Sequence, residues 1–191
     1  SKGYAMRLNG SKNYRIPTFN DLYWFAGGNQ NLQPETSYQV EMAQEISIGN
    51  LKADVAAYYI SSKDLIKWIP TNGSVWEPVN IQKTSNYGLE AVLGYYLKLG
   101  GAQTLDLNGN YSFTKTEDLQ RHKHLIYVPV HKASGILQYN VKALSFYVQG
   151  LFNGRAYTTT DNSESIDGYT VFNLGASYSL SFQPRITNKS E

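Results

Sequence analysis

Cysteine is absent from all 191 residues. Disulfides, thiolate nucleophiles and cysteine-ligated metals are thereby excluded, although that absence fits many compartments and selects none. Charge is scarce as well: Asp, Glu, Lys and Arg make up 17%, against roughly 25% in an ordinary soluble domain. The formal net charge of +2 is too small, and its basic residues too scattered, to argue for nucleic acid or an anionic surface as partner. No apolar run approaches the roughly 20 residues that a spanning helix needs, and Ser1-Lys2-Gly3-Tyr4 does not begin a signal peptide. A membrane reading is therefore confined to strands, because in lipid only helices and closed barrels leave no backbone polar group unpaired.

What the chain does have is aromatic side chains, 14% of the total, 16 of them Tyr. Tyr and Trp carry an apolar body and a polar tip, which suits a membrane boundary but also a Tyr-rich soluble β-protein. Eight segments alternate with a period of two, and nowhere does a 3.6-residue apolar stripe persist. The second segment is the clearest. Tyr38, Val40, Met42, Ile46 and Ile48 fall on one face, interrupted only by Gln44, and Ser37, Gln39, Glu41, Glu45 and Ser47 fall on the other with Ala43. The first runs from about Tyr4 to Lys12. The third starts at Leu51 and continues more loosely to Trp68, and the fourth comes in near Asn80 after a loop holding Pro70, Asn72-Gly73, Trp76 and Pro78. In the fifth, Leu105, Leu107, Gly109, Tyr111 and Phe113 oppose Asp106, Asn108, Asn110, Ser112 and Thr114. A charged loop from about Lys115 to Tyr127 leads to the sixth, Val128 to Tyr139. The seventh places Leu144, Phe146, Val148, Gly150 and Phe152 on one face, and the eighth alternates from Phe172 to Phe182.

The connections alternate long and short, the short ones at Gly49-Asn50, Leu99 to Gly101 and Asn140 to Lys142. Outer-membrane barrels pair long extracellular loops with short periplasmic turns, so this rhythm gives each strand a direction, the first rising outward. A polar inner face suits a wide, wet lumen better than a small packed barrel.

Several blocks resemble TonB-dependent outer-membrane receptors. Tyr14-Arg15-Ile16-Pro17-Thr18-Phe19 with Asp21-Leu22-Tyr23 resembles the Arg-x-Pro segment that opens a large loop in that family. Gly28-Asn29-Gln30-Asn31-Leu32-Gln33-Pro34-Glu35-Thr36-Ser37, followed by Glu41, is similar to its Gly-Asn-x-x-Leu-x-Pro-Glu-x-Ser element. Tyr58-Tyr59 with Asp64-Leu65-Ile66, then Asn80 and Tyr87-Gly88-Leu89-Glu90, match the next strand pair; Pro129-Val130-His131-Lys132 and Phe172 to Tyr178 match later ones. The resemblance implies an all-β antiparallel meander, residues 1–191 being one partial domain: about eight transmembrane strands of a twenty-two-stranded barrel. It also implies a place in the outer membrane of a Gram-negative bacterium, in contact with its lipid. The family's plug domain and final strands are absent from this sequence. Uptake of an iron chelate (siderophore), a cobalamin or a glycan is the expected role, driven by an inner-membrane energy complex acting through that plug. The haem-uptake branch places a His between its Arg-Pro and Asn-Leu elements, and none lies between Arg15 and Leu32.

The residues offer little chemistry. His122 and His124 flank Lys123 in a charged loop, read as solvated rather than metal-binding because no carboxylate completes a ligand set. His131 reads as interfacial. Glu41, Glu45, Glu90, Asp106, Asn108 and Asn110 are expected to face the lumen or the plug, and no catalytic motif, cofactor or metal is expected. Arg15, Tyr23, Trp24, Phe25, Trp68 and Trp76 are the candidates for ligand contact at the mouth, with an aromatic girdle or loop packing as the alternative. A soluble or surface-attached carbohydrate-binding β-sheet module is the competing function, and would bury its apolar faces in a dry core.

Overall fold

The computed structural model describes residues 2–71 and 75–180. Asn72, Gly73, Phe182 and the segment 183–191 lie outside the described residues. Among the described residues eight long strands form one antiparallel meander in which each hairpin neighbour follows the last. They are β1 (Lys2–Arg15), β2 (Glu35–Ile48), β3 (Leu51–Pro70), β4 (Trp76–Gly100), β5 (Gln103–Asp118), β7 (His131–Val141), β8 (Leu144–Asn153) and β11 (Tyr169–Tyr178). Three two-residue strands lie in the long loops: β6 (Lys123–His124), which pairs with the end of β5, and β9 (Ala156–Tyr157), which pairs with β10 (Ser165–Ile166). Among the described residues one short helix, α1 (Phe19–Tyr23), sits in the first long loop.

Strand bounds differ from the sequence reading where tertiary pairing overrides local pattern. The fourth strand begins at Trp76 rather than Asn80, because β3 and β4 continue together as a hairpin through Trp68↔Pro78 to Pro70↔Trp76. Pro78 is tolerated within that strand because β5 stops opposite Thr84, so no further neighbour asks Pro78 for the N–H that it lacks. The charged segment after Lys115 stays in β5 as far as Asp118. At the β7–β8 hairpin Asn140 and Val141 remain paired, and the turn falls at Lys142, whose φ is 53°. Gly49 takes φ 60° at the first short turn, a conformation that costs glycine nothing.

The registers put all the alternating apolar residues on one face. Leu51, Tyr95, Leu107, Leu137, Val148 and Leu174 form a row across six strands, and Leu97, Leu105, Tyr139, Phe146 and Ala176 another. Among the described residues nothing covers this face. Phe172 is 72% exposed and Leu174 79%. Among the described residues the buried apolar side chains are Leu32, Ala43, Ile66, Ile126 and Pro78, and only Ala43 belongs to the regular two-faced wall.

Aromatic side chains edge the apolar face at two heights. Tyr87 and Tyr95 on β4 stand eight residues apart, as do His131 and Tyr139 on β7; Tyr4 and Tyr14 on β1 stand ten apart. At about 3.4 Å per residue and a tilt of about 40°, eight residues climb about 21 Å and ten about 26 Å, which matches the roughly 25 Å apolar band of membrane barrels.

Candidate functional site

The other face is polar for most of its length. Pairing sets Glu41 between Asn9 and Tyr58, Glu45 between Ala5 and Asp54, and Glu90 between Ala56 and Ser112. Asp106, Asn108 and Asn110 lie on that face opposite Tyr96, Gly94 and Val92. These six residues therefore lie on one face of the sheet. Arg7 bridges Glu45 and Asp54, its Nη2 3.1 Å from Asp54 Oδ2. Tyr58 lies over Gly88 and its hydroxyl meets Thr114 Oγ1 at 2.9 Å, tying β3, β4 and β5 together. Val92, Ile136 and Leu151 also lie on this side, so its polarity is less complete than β5 alone suggests.

At the long-loop end the first loop is locked onto the β3–β4 hairpin. Thr18 and Asp21 form a capping box around α1: the Thr18 N–H and hydroxyl donate to Asp21 Oδ2, both at 2.8 Å, and the Asp21 N–H donates to Thr18 Oγ1 at 3.2 Å. The indole Nε1–H of Trp68 donates to Asp21 Oδ1 at 2.9 Å, and Arg15 Nη1 stands 3.6 Å from Oδ2. Burial pushes the Asp21 carboxyl up, but the Thr18 and Trp68 hydrogen bonds and the Arg15 charge outweigh it and hold the group below its ordinary value. Arg15 also grips Glu35 with Nε at 2.9 Å and Nη2 at 3.1 Å, and donates to the Ile66 carbonyl at 3.1 Å. Glu35 in turn accepts from the Ile66 N–H at 2.9 Å. Asn80 completes the lock: its Oδ1 accepts from Gln33 N–H at 2.8 Å, while its Nδ2 donates to the carbonyls of Gln33 and Asp64 at 2.9 and 2.7 Å.

The proposed ligand residues thus divide. Arg15 and Trp68 are occupied by these internal bonds. Tyr23, Trp24 and Phe25 stand exposed on the locked loop, Phe25 fully so, and Trp76 packs near Tyr127 with ring centroids 5.7 Å apart. Sequence reasoning missed α1 and the hub role of Asp21. The signal was present in Thr18-Phe19-Asn20-Asp21, a capping pattern with Asp in place of the usual Glu.

The remaining loops are pinned to one another. Asn162 accepts from the His124 N–H at 2.8 Å and donates to the His124 carbonyl at 3.0 Å; the Tyr127 N–H donates to the Tyr157 carbonyl at 2.8 Å. His122 meets Glu117 at 3.3 Å, His124 stacks on Tyr157, and His131 on the apolar face meets the Tyr111 hydroxyl at 2.8 Å. Among the described residues no group of three or more His, Asp or Glu comes together as a metal site.

A one-layer sheet with an uncovered apolar face, a polar face, long loops at one end and short turns at the other is the wall of a membrane-type β-barrel. The comparisons narrow this class. Residues 1–188 match the family described as TonB dependent receptor-like, beta-barrel, and the chain belongs to that family. Among curated proteins it is 28% identical to the vitamin B12 transporter BtuB of Photobacterium profundum, over 94% of this chain and 30% of that protein. It is 25% identical to an iron-regulated outer membrane virulence protein of Vibrio cholerae, over 80% of this chain and 26% of that one. Among solved structures it superposes on the copper transporter OprC with a TM-score of 0.76 at 17% identity, covering 93% of this chain and 29% of OprC. The siderophore receptor PirA of Acinetobacter baumannii gives 0.71 at 17%, covering 94% and 33%. The chain spans about 30% of the length of the BtuB relative, so it is a portion of such a barrel.

Proposed function

We propose that this chain is part of the wall of an outer-membrane receptor that takes up a scarce nutrient: an iron chelate, a cobalamin or a glycan. The observation that carries the proposal is the uncovered apolar face. About two dozen large apolar side chains pointing into water would each forfeit roughly 1.5–3 kcal/mol of burial, whereas acyl chains satisfy them without a second protein layer. A soluble sugar-binding sheet needs that second layer over Leu105, Leu107, Tyr111 and Phe113, and none is present among the described residues. On this reading the aromatic rows meet the headgroup regions, the polar face lines a lumen filled by a plug domain, and Glu41, Glu45, Glu90, Asp106, Asn108 and Asn110 meet water or that plug. The locked loops then face the cell exterior, where Tyr23, Trp24, Phe25 and Trp76 are placed to contact ligand while Arg15 and Trp68 hold the scaffold. Energy comes from an inner-membrane complex acting on the plug, and no covalent chemistry is required of these residues. Cells carrying or lacking the full-length protein are to be compared for uptake of radiolabelled ferric chelates, cobalamin and oligosaccharides, with and without a protonophore. Protonophore-sensitive uptake of one ligand class supports the reading; recovery of the protein in the soluble fraction without detergent overturns it.

A further inference from the structure

On the far side of the β3–β4 hairpin from Trp68 lies a cavity of about 170 Å³, bordered by Gln120, Arg121 and residues 123–126. Its floor is Ile69, Val79, Ile81 and Ile126, and its rim carries Lys67, Arg121 and Lys123 against the single carboxylate of Asp118. We propose that this cavity binds a phosphate monoester carried on a small apolar body.

Three features lead there. First, Lys67 is partly buried, and among the described residues its ammonium makes one hydrogen bond, to the Ile126 carbonyl at 2.7 Å. No ion pair within 4.0 Å joins it to a carboxylate among the described residues, so its positive charge and two of its N–H groups are left without a described partner beside the cavity that Lys67 lines. Burial accordingly lowers the Lys67 pKa, and a bound anion relieves that burden. Second, Asp118 is committed elsewhere. It is buried, and its Oδ1 already accepts the N–H groups of Gln120 at 2.9 Å and Arg121 at 3.2 Å, while its Oδ2 lies 3.9 Å from Arg121 Nε. Three cations less one carboxylate leave a rim charge of +2, which matches a dianionic phosphate monoester better than a monocarboxylate. Third, the volume and floor fit: an apolar cavity of about 150 Å³ admits a benzene ring. The inference goes beyond transport and does not depend on it, because every group involved lies in this chain.

The test is calorimetric titration of phenyl phosphate into the full-length protein in a neutral detergent at about pH 7.5, where the monoester is mostly dianionic. Saturable one-to-one binding is expected, at least tenfold tighter than benzoate. Lys67→Met is expected to weaken phenyl phosphate at least tenfold, and Lys142→Met at the short-turn end to leave it unchanged. Arg121→Gln, an exposed position, provides a second variant that does not threaten folding and is expected to weaken binding severalfold. Absence of saturable binding, benzoate binding as tightly, or unaltered affinity in both cavity variants overturns the proposal. Phosphorus retained through extraction by the wild type but not by Lys67→Met identifies the occupant as a lipid headgroup. Phenyl phosphate binding with none retained identifies a soluble ligand. Loss of nutrient uptake with this binding intact counts against the transport reading alone.

Discussion

Ala91 stands midway between Tyr87 and Tyr95 on β4, on the apolar face, with Val55 and Tyr111 as its cross-strand neighbours. Arginine there would be carried to the middle of the hydrocarbon, too far from either aromatic row for its guanidinium to reach water easily. Measured costs for Arg or Lys at the midplane of a barrel are about 2–4 kcal/mol. Ala91→Arg should therefore lower the folded-to-unfolded ratio in lipid vesicles by roughly 30- to 900-fold. Asn110, at nearly the same height on β5 but on the polar face opposite Val92 and Ser134, is the control. Asn110→Arg should change stability by no more than about 0.5 kcal/mol. The assay is urea unfolding of the full-length protein in vesicles, followed by tryptophan fluorescence and by the gel shift between folded and heat-unfolded barrels. Equal costs for the two substitutions, or a cost for Ala91→Arg within that same small range, would refute the assignment of the apolar face to lipid.

Asp21→Ala leaves the Trp68 indole and the Thr18 N–H without their acceptor, at about 1–3 kcal/mol for each buried donor left unpaired; exchange of the Leu22, Trp24, Gly28 and Asn29 amides should accelerate about 5- to 150-fold for each such loss, with the barrel transition barely moved. The pH dependence of that lock follows from the depressed Asp21 pKa: its contribution is complete above about 3.9, and it is lost as pH falls through the lower folded-state value. Proteolysis of residues 16–34 should thus be unchanged from pH 7 to pH 5 and rise only in stronger acid; loosening already at pH 5 would contradict the sign. A Cβ at Gly88 would strike the Phe113 carbonyl oxygen and the Tyr58 ring, so Gly88→Val should cost about 1–3 kcal/mol of barrel stability, and Tyr58→Ala in the same chain should recover part of it.

The eight-strand meander was legible because the apolar and polar positions of β2, β5, β8 and β11 alternate so regularly that a one-residue slip would reverse every side chain. Strand ends were less legible. Nothing in the run from Trp76 to Asn80 shows that β4 starts before its proline, because Pro78 is acceptable only where β5 has already ended, a fact of pairing. That Glu41, Glu45, Glu90, Asp106, Asn108 and Asn110 share one face could be read from parity alone. The loop scaffold could not: Asp21, Glu35 and Asn80 are joined by hydrogen bonds linking segments far apart in sequence, and Arg15 and Trp68 look the same in sequence whether they serve a ligand or a clamp. Lys67 was equally hidden, since its isolation from carboxylates depends on how residues 123–126 lie beside the hairpin.

Spin labels at alternate positions along one row test the central claim most directly. Labels replacing Leu107 and Leu137 on one face, and Asn108 and Gln138 on the other, are to be compared in vesicles for collision with oxygen, which concentrates in hydrocarbon, and with a water-soluble nickel chelate. High oxygen and low nickel accessibility at 107 and 137, with the reverse or mutual protection at 108 and 138, is the expected pattern. Equal nickel access to both faces, or burial of 107 and 137 from both reagents, would contradict it.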